Sequence, residues 1–132
     1  MQNYNMTHSV YPPGTINEEG PIANEPQGYH HNWISQTLPY FEEVNTFRHI
    51  DFSVGVYDET NATVRMVQIS TLLCPSSWRG SDADESALTN YAGCQGPTET
   101  PIDADNLGVF FLNSAVGYKD IPDGSSHTIF IG

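Results

Sequence analysis

Asp120 and Asp123 stand in an Asp-x-x-Asp-Gly-Ser-Ser run that continues through Ser125 and Ser126. Two carboxylates, two hydroxyls and the neighbouring carbonyls form the hard oxygen set that Ca²⁺ takes. Calcium is therefore the one cofactor these residues suggest, with Asp120, Asp123 and Ser125 as its ligands. The spacing is not that of an EF-hand loop, which alternates its ligands and ends on a distant Glu. A plain turn competes with this reading. Gly124 allows a tight bend, and the Asp123 side chain can bond the backbone near Ser125. Asp82-Ala83-Asp84-Glu85 and Asp103-Ala104-Asp105-Asn106 are two further oxygen-rich loops, and acidic surface loops are the commoner outcome for both.

Cys74 and Cys94 are the only cysteines. Scarce Lys, an even cysteine count and many polar uncharged residues fit an exported chain, in which the two pair. Closing a loop of that length stabilises by about 3 kcal/mol in the chain-entropy model. The alternative is two separate thiols. His30-His31 beside Trp33 resembles a ligand pocket, but neighbours on an extended chain point apart. The simpler reading makes them loop and helix-start residues, with His31 at a polar edge. No Gly-x-Ser-x-Gly elbow occurs, and Glu42-Glu43 lies on an exposed helical face without the burial that tunes a catalytic acid. The expectation is a protein that is not an enzyme.

Composition narrows the partners. Sixteen acidic residues against four basic ones leave a net charge of −12. Nucleic acid and anionic membrane surfaces are excluded as partners, because both demand Lys and Arg. Seven Tyr, six Phe and two Trp supply the material for a modest core, and 132 residues suit one domain over 1–132.

These groups must be positioned by the elements. Residues 1–9 read as the end of a helix, stopped by Tyr11-Pro12-Pro13-Gly14, and a polar loop follows over 12–29. Helical spacing runs from Asn32 to Ile50: Ile34, Leu38 and Phe41 form a stripe flanked by Trp33, Tyr40, Val44 and Phe47. Pro39 should kink or split this helix. Thr60 or Asn61 caps a short helix through Gln68, with Val64, Val67 and Met66 facing inward. Thr71–Cys74, Thr89–Cys94, Gly108–Leu112 and Thr128–Ile131 read as strands. Helices followed by strands predict an α+β domain in which helices pack on a small antiparallel β-sheet among long loops.

Several blocks in this order resemble a bacterial family of exported pilin-like proteins, catalogued as domain of unknown function 1559 and also labelled a solute-binding-protein family. They are Tyr11-Pro12-Pro13-Gly14, His31-Asn32-Trp33 through Leu38-Pro39-Tyr40-Phe41-Glu42, Leu72-Leu73-Cys74-Pro75, Asn90-Tyr91-Ala92-Gly93, Gly108-Val109-Phe110-Phe111 and Ile121-Pro122-Asp123-Gly124. The resemblance implies a pilin-like head, a prepilin leader and long apolar helix before position 1, and a further C-terminal segment. Residues 1–9 would then be the end of that N-terminal helix. It also implies a periplasmic or cell-surface location, with inner-membrane contact only through that helix and other pilin-like subunits as partners. The expected function is a non-catalytic structural subunit of a cell-surface or secretion fibre, as in type IV pili or type II secretion. The alternative is a surface module that binds a glycan or solute, with Tyr29 and Trp78 stacking on sugar rings.

Overall fold

The computed structural model describes residues 1–77 and 86–132. Trp78 and the acidic loop Asp82-Ala83-Asp84-Glu85 lie outside the described residues.

Among the described residues four short α-helices appear in chain order: α1 (Gln2–His8), α2 (Trp33–Thr37), α3 (Val44–Arg48) and α4 (Ala62–Arg65). α1 ends as its spacing predicts. Ser9 turns left-handed at φ 64° and returns its N–H to Asn5 O, and the two prolines behind it cannot continue a helix. At the start of α2, Asn32 Oδ1 accepts from Ile34 N at 3.0 Å and Ser35 N at 3.4 Å. Ser35 Oγ accepts from Asn32 N at 3.1 Å, which completes a reciprocal cap.

Pro39 then splits the predicted helix. Residues Leu38–Phe41 tighten into a 3₁₀ turn, Glu42 closes it at φ 66°, and α3 restarts at Val44. Further along, Asn61 stands at the N-cap of α4 without a side-chain cap bond, and Asp58 caps the 3₁₀ turn Glu59–Asn61 before it, its carboxylate accepting from Thr60 N at 2.9 Å. Val64 is half-buried, but Met66 and Val67 face outward, 48% and 39% exposed.

The predicted antiparallel sheet is not formed, and the α+β expectation is corrected. Extended pairing among the described residues consists of isolated bridges: Thr15 with Asn32, Thr15 with Leu112, and Gly93 with Ile131. Thr71–Cys74 is no strand. Ser70–Leu72 coils into a 3₁₀ turn. Residues 92–94 do meet 130–132, through Cys94 N to Phe130 O and the reciprocal Ala92–Gly132 pair. The ladder stops there, because Cys94 O turns to both Val109 N and Phe110 N at 3.1 Å, and Leu112 N goes to Asp103 O at 3.4 Å. A sheet needs successive donors to share one partner strand. Here each donor finds a different loop.

The core is built from those loops. Segment 11–17 threads between 29–33 and 111–116: Tyr11 N bonds Val116 O, Gly14 N bonds Phe111 O, Ile16 N bonds His31 O, and Trp33 N bonds Gly14 O. Around this thread Tyr11, Trp33, Leu38, Leu72, Phe110 and Ile121 bury together. The apolar face from Trp33 to Phe47 thus packs on irregular chain, with the Trp33 ring 5.9 Å from Phe110. Among the described residues no helix is long and apolar enough to cross a membrane.

Candidate functional site

The sequence-predicted residues do not converge. Asp120 Oδ2 accepts from Gly117 N at 2.8 Å and caps the 3₁₀ turn Tyr118–Asp120. Asp123 lies exposed in the next turn, which Gly124 N closes on Ile121 O at 3.1 Å with Gly124 at φ 75°. Ser125 follows, half-buried. Asp103 and Asn106 also serve their own turn, Asn106 Oδ1 accepting from Asp103 N. Among the described residues no three His, Cys, Asp or Glu side chains gather as a metal group would.

Cys74 and Cys94 are separate, half-buried thiols in the structure, without the expected bridge. Their backbones bond different partners: Cys74 N donates to Asn90 Oδ1, and Cys94 bonds Phe130 and Val109. Tyr29 is not a free stacking platform, since its hydroxyl donates to Phe52 O at 2.9 Å and its ring rests on His31.

His31 departs most from expectation. It is 1% exposed, not at a polar edge. Its ring lies 4.6 Å from Tyr29 and 4.8 Å from Phe52, and Nε2 lies 3.0 Å from Val54 O. A carbonyl only accepts, so Nε2 carries the proton. Nδ1 is buried and meets no hydrogen-bond partner among the described residues.

His31 forms part of the wall of a cleft of about 190 Å³. Ile34 and Leu38 supply one side, Ile50 and Val64 another, and Ala87 and Leu88 the rim. The rim is open, since Val67 and Leu88 are 39% and 41% exposed. Polar wall residues hold the backbone in place. Asn61, 1% exposed, accepts from Asp51 N at 2.9 Å and donates to Asp51 O and Gly55 O at 3.0 and 3.1 Å. Gln68 clamps Leu88 through both amide atoms, at 2.7 and 3.2 Å. Arg65 donates to Val56 O at 2.8 Å while its own carbonyl takes Ala87 N.

Asn61→Ala would leave the half-buried backbone partners of all three bonds unmade. An unmade buried hydrogen bond costs about 1–3 kcal/mol, and some relaxation is expected, so a loss of about 3 kcal/mol should appear in urea unfolding.

Two carboxylates brace the same wall. Hydrogen bonds from the Ser53 hydroxyl and N–H pull the Asp51 pKa below its usual value, and the Thr60 N–H does the same for Asp58. A depressed folded pKa means stability that is present above the unfolded value, about 3.9, and lost as pH falls through the folded values. Melting temperature should therefore begin to fall below about pH 4. The Asp51→Asn, Asp58→Asn double variant should show a shallower acid decline. An equal decline in both proteins would refute this assignment.

Chemically, an apolar hollow whose Asn61 and Gln68 amides are turned to backbone support can hold an apolar solute. Periodicity on α2 showed the Ile34 and Leu38 side of the cleft. Asn61, Gln68 and Val54 gave no local signal, because their partners lie 6 to 23 residues away.

A family model described as a protein of unknown function, DUF1559, matches residues 1–132. No curated protein and no solved structure matches the chain. With the whole length covered by that match, the chain belongs to the DUF1559 family.

Proposed function

We propose that this domain is a non-catalytic binding module that takes a small apolar solute into the cleft between α2, α4 and the Ala87–Leu88 rim. The observation that carries this reading is the cleft itself, about 190 Å³ with apolar sides. An apolar cavity of about 150 Å³ is enough for benzene, so the fitting solute is one ring or a short branched chain. The net charge of −12 favours neutral or cationic solutes over anions.

Titrating the domain with a panel of small apolar solutes, followed by ligand-observed NMR, tests it. Saturable binding should occur in the native protein and vanish in Ala87→Trp, whose indole fills the rim while the fold still melts cooperatively. A panel without one saturable binder would refute the reading.

A second reading is an exported pilin-like subunit, in which a helix at the start of this chain connects the domain to a cell-surface or secretion fibre. The position of α1 favours it. Tyr4 is buried against Tyr40, with ring centroids 5.7 Å apart, and seats α1 on the domain, while Met6 stays 83% exposed. The protein expressed from its own gene should then appear in sheared surface-fibre fractions. Recovery only from the cytoplasm would end that reading.

A further inference from the structure

We propose that the cleft selects a saturated hydrocarbon group, a small alicyclic ring or a short branched chain, over an aromatic ring of the same size. This rests on the cleft being a binding site and adds which chemistry it reads.

The choice follows from the side chains that reach the cleft. Ile34, Leu38, Ile50, Val64, Val67 and Leu72 line it, and among the described residues no Phe, Tyr or Trp does. The chain is not short of rings, with seven Tyr, six Phe and two Trp. The fold places them elsewhere: Tyr11, Trp33, Phe110 and Phe130 meet in the core, Tyr4 meets Tyr40, and Phe47 meets Phe52. The His31 imidazole, the one ring on the wall among the described residues, is 1% exposed and packed on Tyr29 and Phe52. A guanidinium attracts an arene face, but Arg65 Nη1 is turned to Val56 O at 2.8 Å.

An arene has a negative face and a positive edge, and it binds best where other rings meet them. Its face also accepts weak hydrogen bonds, which it gives up on leaving water. An aliphatic wall replaces neither contact. A saturated group loses nothing of that kind, and each CH₂ it buries adds to the transfer free energy.

Cyclohexane and benzene test this, since they share a carbon count and differ in aromaticity. In ligand-observed NMR titrations of the native protein, cyclohexane should bind about fivefold more tightly. Leu88→Phe puts a ring on the rim, where Leu88 is 41% exposed and leaves room for it. In that variant benzene should draw level with cyclohexane. If it does not fold, Val67→Phe, 39% exposed on the same rim, takes its place.

Benzene binding as tightly as cyclohexane to the native protein would overturn the selectivity while leaving the cleft a binding site. A fivefold preference that persists with the ring on the rim would belong to the solutes and not to the wall, and would overturn it as well. Binding of neither solute would overturn the cleft reading and this one together. Equal binding to the native protein and to Ala87→Trp would place the site elsewhere and overturn both.

Discussion

Gly14→Ala is expected to abolish the cooperative fold or to lower its stability by at least about 3 kcal/mol, the upper range for overpacking a close-packed interior. A methyl at Gly14 would sit 2.2 Å from the Phe110 carbonyl carbon and oxygen and 2.8 Å from Phe111 N. These are backbone atoms, so no rotamer change relieves the clash. The 12–14 and 110–111 segments would have to separate. That movement breaks Gly14 N to Phe111 O at 3.1 Å, Gly14 N to Ser114 Oγ at 3.2 Å and Trp33 N to Gly14 O at 3.3 Å. The last of these holds the start of α2, and with it the Ile34 side of the cleft, so solute binding should fall along with stability.

Urea unfolding of Gly14→Ala beside Gly124→Ala isolates the cause. Gly124 has open space around it but a φ of 75°, so its substitution should cost only the left-handed strain of about 1–2 kcal/mol. If the Gly14 variant unfolds within about 0.5 kcal/mol of the native protein, the close approach of the two segments is wrong.

Phe110→Ala should cost about 3–5 kcal/mol, the usual loss for a large aromatic removed from a core. Phe110 is 1% exposed. It meets Trp33 at 5.9 Å and Phe130 at 6.1 Å edge-on, and Gly93 lies so close that a methyl there would touch its ring at 3.1 Å. One side chain thus joins α2, the 92–94 segment and the 130–132 segment, which no sheet holds together. Phe110→Leu should lose less, about 1.5 kcal/mol or below.

Ile129 makes the contrast. It belongs to an equally apolar run but is 72% exposed, so Ile129→Ala should stay within about 0.5 kcal/mol of the native protein. Comparable losses at 110 and 129 would mean that Ile129 is buried in solution, as a strand at Thr128–Ile131 would require.

The features legible in the sequence are those whose causes lie within a few residues. Asn32 caps α2 because Ser35 is three positions on. Pro39 ends that helix because it lacks the donor the next turn requires. Ser9 and the prolines behind it close α1, and Gly124 takes the left-handed turn that its missing side chain permits. The helical stripe likewise named Trp33 and Leu38 as core residues, since helical periodicity records which face is buried.

The tertiary structure decided everything that depends on a distant partner. A short apolar run reads the same whether it pairs in a sheet or buries singly among loops. Thr71–Cys74, Gly108–Leu112 and Thr128–Ile131 therefore read as strands, although Cys94 O, Asp103 O and Gly124 O draw their donors to separate places. Gly14 matters because Phe110 and Ser114 return to it about a hundred positions later. His31 became a buried acceptor only because Val54 took its other nitrogen while Tyr29 and Phe52 closed over the ring. Local chemistry fixes caps and breaks within a turn or two of chain. Burial and hydrogen-bond satisfaction belong to residues that the fold brings together, and their neighbours in sequence carry no record of them.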